Sequence, residues 1–142
     1  MSSVIDQAVQ AHLIANAPRS RAIPATLRYD RADPFAVRLV FPPVASLDGT
    51  EVVWTFGRDL LAEGLSEPVG AGDVQIWPAT PDGEHDILVV EFHTAGGLAV
   101  VQFDAADVRS FLTRSCEMVP QGSEAQHLDV EADLAALLRE AQ

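Results

Sequence analysis

Hydrophobic residues recur at every second position along much of this chain, and that period restricts it to a fold built mainly on strands. Phe35, Val37, Leu39 and Phe41 alternate with Ala36, Arg38 and Val40, and Val52, Trp54 and Phe56 alternate with Val53 and Thr55. A period of two puts each set on one face of an extended segment. Ile5, Val9, Ala11 and Leu13 repeat the pattern opposite Asp6, Gln10 and His12, although Gln7 and Ala8 weaken it.

Turn residues then set how the strands connect. Asn16 to Pro24, with two prolines and two arginines, reads as a loop before a strand at Ala25–Tyr29. The run Asp30–Pro34 (DRADP) favours tight-turn geometry, so the strands on either side should pair as an antiparallel hairpin. Pro42 to Thr50 is a second loop, carrying Asp48-Gly49. After Trp54 and Phe56, Gly57 ends the strand. Arg58 to Glu63 holds good helix formers, with Gly64 where a left-handed helix cap would fall. Ser66 to Asp73, with one proline and two glycines, predicts a break before a strand at Val74–Trp77 that Pro78 closes. Another turn spans Ala79–Glu84. Ile87–Thr94 and Leu98–Phe103 flank Ala95-Gly96-Gly97 as a hairpin, and their near-continuous runs ILVV and LAVV point to strands covered on both faces.

Helical periodicity takes over near the end. Asp104 is a natural N-cap, with Asp107 three residues on, and Val108, Phe111, Leu112 and Cys116 share one helical face. Pro120–Ser123 breaks this helix, and Asp129 opens a last one with Val130, Leu134, Leu137 and Leu138 as its apolar stripe. The sum is an α+β fold, an antiparallel β-sheet or barrel of about seven strands with about three helices, in a single domain over residues 1–142. Val37, Leu39, Phe41, Trp54, Phe56, Val89 and Phe111 are predicted to lie in the core.

Bulk properties narrow the function. The 142 residues carry 21 acids against nine bases, every base an arginine, for a net charge of −12. Such an excess repels phosphate backbones and argues against general nucleic-acid binding. No apolar run reaches membrane-span length, and the opening MSSVIDQAVQ has an acid and no basic residue, so a cytoplasmic protein is expected. A single cysteine, Cys116, excludes an internal disulfide and fits a small buried hydrophobe.

Catalytic constellations are not visible. None of His12, His85, His93 and His127 lies beside a nucleophile elbow. His85 with Asp86, or Glu91 with His93, would bring two metal ligands together without a third. The run Gly70–Asp73 (GAGD) precedes a strand and lacks the third glycine of a phosphate-binding fingerprint. No catalytic residue, metal or cofactor is therefore assigned. The better candidate is a protein-interaction surface on the short helix, where Arg58, Asp59 and Glu63 form a polar rim around the apolar Leu60, Leu61 and Leu65.

Two long motifs carry a family resemblance. The run Leu27–Val37 (LRYDRADPFAV), with WTFGRDLLAEGL at Trp54–Leu65 and GAGDVQIWP at Gly70–Pro78, resembles the SsgA-like family of actinomycete sporulation and cell-division proteins, and is nearest to its SsgB type. The resemblance implies a fold similar to the whirly and guide-RNA-binding architecture. It also implies a non-enzymatic regulator at the division septum, with the tubulin-like FtsZ and other SsgA-like proteins as partners. Fold analogy alone suggests the alternative, a single-stranded nucleic-acid-binding or transcription-related module, against which the scattered arginines and inward aromatics argue. ILVV and LAVV with few helices to cover them predict a homo-oligomer, and the family resemblance selects a trimer.

Overall fold

A computed structural model describes residues 4–14, 21–43, 49–80, 83–94 and 97–127. The described elements, in chain order, are β1 (Val4–Ile14), β2 (Arg21–Asp30), β3 (Ala36–Phe41), β4 (Val52–Gly57), α1 (Arg58–Gly64), β5 (Val69–Ala71), β6 (Val74–Ala79), β7 (Ile87–Thr94), β8 (Gly97–Asp104) and α2 (Ala105–Met118), with a short 3-10 turn at Glu124–His127. All eight strands belong to one antiparallel sheet in the order β4-β3-β2-β1-β8-β7-β6-β5. The α+β class and the antiparallel sheet match the expectation, with eight strands in place of about seven. The extra one, β5, lies inside the glycine-containing stretch 66–73, where Val69–Ala71 pairs with Val74–Ile76 across a tight turn at Gly72 (φ 58°). Two α-helices fall among the described residues; the helix expected from Asp129 lies outside them.

Alternate residues of β1 and β3 turn inward as the pattern predicts, and those of β2 and β7 do the same. Ile5, Val9 and Ala11 of β1, Ile23, Ala25, Leu27 and Tyr29 of β2, Val37, Leu39 and Phe41 of β3, and Leu88, Val90 and Phe92 of β7 all enter one hydrophobic cluster. Val108, Phe111 and Leu112 of α2 and Leu61 of α1 join the same cluster, so both helices cover the same side of the sheet. That side is concave. Five strand spacings separate β4 from β7, ~24 Å in a flat sheet, yet the rings of Trp54 and Phe92 stack with centroids 4.4 Å apart.

A splay in the sheet makes room for α2. β1 pairs with β2 from Val4↔Asp30 to Leu13↔Arg21, but with β8 only from Ala11↔Phe103 to Ile14↔Val100. Over the gap beside the start of β1, Gln7 Nε2 donates to the carbonyl of Asp107 at 2.9 Å, and Arg114 donates to Gln7 Oε1 at 3.1 Å. Asp104 caps the helix as expected, accepting from the Ala106 N–H at 2.9 Å.

Several local expectations change. β2 begins at Arg21, inside the expected loop, and Pro24 pairs with Gln10 at a level where β3, which reaches only from Thr26 to Arg28, leaves one flank of β2 free of the N–H that proline lacks. Phe35 is not the first inward residue of β3. It lies in the turn and is 49 % exposed, because the Asp33 carbonyl accepts from Ala36 N–H and keeps the turn closed one residue longer. Trp54 points to the predicted face but is only half-buried, while Val37, Leu39, Phe41, Phe56, Val89 and Phe111 are buried. Cys116 is half-buried, and Ser115 takes the buried position beside it.

Gly64 is not a left-handed cap. It is the last residue of α1 and buried, and Leu65 continues in right-handed geometry. Its role is close approach: a Cβ there would lie 2.9 Å from Ile76 Cβ and would overlap Ile76 Cγ2, so only glycine lets α1 lie directly on β6.

Candidate protein-interaction site

α1 is where the chain crosses from one edge of the sheet to the other, and its first residue is anchored from many directions. A cation at the start of a helix opposes the backbone dipole, so Arg58 must be compensated elsewhere. It is 2 % exposed. Its backbone N–H donates to the Phe35 carbonyl at 2.7 Å. Its Nη1 donates to the carbonyl of Val119 at 2.7 Å, just past the end of α2, and at 3.2 Å to that of Ser115 in the last turn of α2, an oxygen it shares with the Val119 N–H. Nη2 lies 3.7 Å from Glu124 Oε2, and the guanidinium carbon is 4.8 Å from the centre of the Tyr29 ring. One residue thus ties together β2, the β2–β3 turn, α1, the end of α2 and the 3-10 turn.

The groups around it titrate accordingly. Glu124 is buried; hydrogen bonding from its own backbone N–H, with that of Gly122 and the Arg58 charge, holds its carboxyl below the ordinary carboxylate value against the opposing effect of burial. Tyr29 is fully buried and donates its hydroxyl to the Pro34 carbonyl at 2.8 Å. Burial pushes its phenol up to about 12, against the pull of Arg58. A phenol raised in the folded state contributes stability that is complete below its unfolded value of ~10 and is lost as pH rises toward 12. Tyr29 is the only tyrosine and the chain has no lysine. Phenolate absorbance should therefore rise together with alkaline unfolding, and Tyr29→Phe should remove the dependence above pH ~10. A phenol titrating near pH ~10 in the folded protein would refute this.

The five candidate residues do not share one exposed patch. Arg58 and Leu61 are buried, Leu61 within the core cluster at 1 % exposure, so neither reaches a partner from this conformation. Asp59 and Glu63 are exposed and Leu65 is half-buried, with Leu60 half-buried beside them. Gln121 Nε2 donates to Asp59 Oδ1 at 3.2 Å, holding the chain after α2 against the exposed side of α1. The interaction face that remains is Asp59, Leu60, Glu63 and Leu65. The role of Arg58 as an internal anchor, and of Tyr29, Ser115 and Glu124 as its partners, was missed. The available signal was the cation at a helix start.

The remaining histidine and carboxylate pairs are ordinary surface contacts. His93 Nε2 meets Glu91 Oε1 at 2.7 Å on the outer sheet face, and among the described residues no third acid, histidine or cysteine joins them. Asp86 receives Thr80 at 3.1 Å and Arg109 at 3.5 Å, both exposed contacts.

Residues 23–124 match the family model described as Streptomyces sporulation and cell division protein, SsgA, a span that takes in most of β2, all of β3 to β8 and both α-helices. The chain belongs to the SsgA family. It is 36 % identical over 140 residues to the sporulation-specific cell division protein SsgB of Streptomyces coelicolor, covering 99 % of both chains. It is 41 % identical over 133 residues to that of Salinispora tropica, covering 92 % of this chain and 91 % of the relative. Among solved structures, the SsgA-like sporulation-specific cell division protein of Thermobifida fusca superposes with a TM-score of 0.83 at 33 % identity, over 96 % of this chain and 98 % of that one. SsgA-family membership places the Arg58 anchor and the α1 face in a family of sporulation and cell-division proteins.

Proposed function

We propose that this protein is a non-enzymatic regulator of sporulation-specific cell division that works in the cytoplasm at the septum, binding FtsZ and other SsgA-like proteins and helping to position the division machinery. The observation that carries the reading is the exposed face of α1. Asp59 and Glu63 rim the half-buried Leu60 and Leu65 on a helix held in place by a buried arginine. Apolar anchors inside a charged rim, on a pre-positioned element, are what a protein partner recognises. Among the described residues no helix is long and apolar enough to cross a membrane.

The direct test is co-sedimentation or pull-down of FtsZ with the purified full chain. Asp59→Arg combined with Glu63→Arg changes only exposed side chains and should weaken association at least ~10-fold, while circular dichroism stays unchanged. A native chain that retains neither FtsZ nor an SsgA-like paralogue would refute the reading; undiminished binding by the reversed variant would remove α1 from it.

The same reading includes a trimer. Its support is the convex side of β6–β8, away from both helices. Trp77, Ile87 and Val100 are half-buried there and Leu98 is 56 % exposed. The registers Trp77↔Val89↔Gln102, Glu91↔Val100 and His93↔Leu98 put these residues on the same face of the three strands. Light scattering should give three times the 15.2 kDa chain mass. A single-chain mass would dismiss the oligomer, and twice the chain mass would dismiss the trimer.

A further inference from the structure

The two edges of the sheet are treated differently. β5, at one edge, is three residues long, contains Gly70, and lies under α1. Short, helix-covered edges are a common protection against unwanted pairing. β4, at the other edge, has none of these protections. All six of its residues pair in unbroken register with β3, from Val52↔Phe41 to Gly57↔Ala36, so no bulge turns the edge away. It contains no proline and no charged side chain. Among the described residues, no backbone group bonds to its outer flank. Val53 is 47 % exposed and Thr55 is exposed, and the 49 %-exposed Phe35 stands next to its end, where the Phe35 carbonyl accepts from Arg58.

We infer that the free edge of β4 takes up an extended, basic segment of a partner protein as a ninth strand. An open row of alternating N–H and C=O groups is satisfied by another extended backbone and by little else. The six residues of β4 span ~20 Å, enough for a six-residue segment. Val53 and Phe35 offer apolar contact to its alternate side chains. Charge selects its composition. Exposed acids stand at both ends of the edge, Glu51 before β4 and Asp59 after it, and among the described residues neither forms an ion pair with an arginine. The nearby arginines are already committed: Arg28 to Asp6 at 2.7 Å and Arg38 to Asp33 at 3.1 Å. A segment of β-branched residues flanked by lysine or arginine fits both ends. This deepens the partner-binding reading, and rests on it in taking the ligand to be a protein.

The test uses the full chain and a capped decapeptide, a valine–threonine core between terminal arginines, at millimolar concentration. Backbone amide exchange in residues 52–57 should slow roughly tenfold at ~90 % occupancy. An analogue N-methylated along one edge keeps the charge and apolar surface but loses the hydrogen bonds, and should give no protection. Absence of protection by the first peptide, equal protection by both, or protection confined to other strands would overturn the inference. Protein-concentration-dependent protection of 52–57 without peptide would overturn it in favour of β4 pairing with a second copy. FtsZ association that persists while this peptide fails would sink the edge proposal and leave the proposed function standing.

Discussion

Replacing Arg58 with methionine is expected to lower folding stability by roughly 3–5 kcal/mol, because a buried charge network that loses one partner leaves the others exposed to the interior without compensation. Methionine keeps much of the length and apolar stem, so the loss isolates the guanidinium. The carbonyl of Val119 loses its side-chain donor, that of Ser115 keeps only the Val119 N–H, the Tyr29 ring loses its cation, and Glu124 keeps a buried carboxylate with only backbone N–H groups beside it. Arg58→Lys tests geometry separately from charge. One ammonium cannot reach the Val119 carbonyl and Glu124 at once in the way a planar guanidinium does, so lysine should recover less than half of the loss. Urea denaturation measures both. A methionine variant within ~1 kcal/mol of the native chain would show that the anchor adds little beyond packing. Acid should act on the same network. Because Glu124 is depressed in the fold, its contribution is present above the ordinary carboxylate value and disappears as pH falls through its folded one. Part of that acid dependence should vanish with Arg58.

How far the sequence exposes this arrangement depends on whether a contact is local. Strand faces were readable because period two needs only near neighbours: β1 buries Ile5, Val9 and Ala11 and β3 buries Val37, Leu39 and Phe41, as their alternation assigns. The family and the two motifs around Tyr29 and Arg58 were readable as well. What failed was tertiary. β5 was hidden because glycine and proline predict a break, whereas pairing with β6 makes Val69–Ala71 extended. Gly64 carried the composition of a cap, but the nearness of Ile76 across the fold is its actual reason. Arg58 looked like a surface charge on a short polar helix, since the side-chain partners Ser115, Val119 and Glu124 lie 57 to 66 residues further along the chain and Tyr29 lies 29 residues before it. Two of the five candidate interaction residues, Arg58 and Leu61, therefore turn inward, leaving Asp59, Glu63 and Leu65.

The curl of the sheet rests most visibly on Trp54 and Phe92, and truncating them should have unequal effects. Phe92 is 1 % exposed and lies in the middle of the core, so Phe92→Ala should cost roughly 3–5 kcal/mol in lost burial and cavity. Trp54 is larger but half-buried, so Trp54→Ala should cost roughly 2–3 kcal/mol, nearer its buried share alone. The two rings stack at 4.4 Å with 27° between their planes, a geometry whose coupling is roughly 0.5–1.5 kcal/mol beyond the area each buries. The double variant should accordingly lose less than the sum of the single losses by about that amount. This stack reaches from the free edge strand to the opposite half of the sheet, so its loss should also loosen β4. Amide exchange in residues 52–57 should accelerate in Trp54→Ala more than exchange in β1 or β2, whose central strands keep both neighbours. Strict additivity of the two substitutions, with exchange accelerated evenly over all strands, would mean that other contacts hold the edge strand against the far half of the sheet.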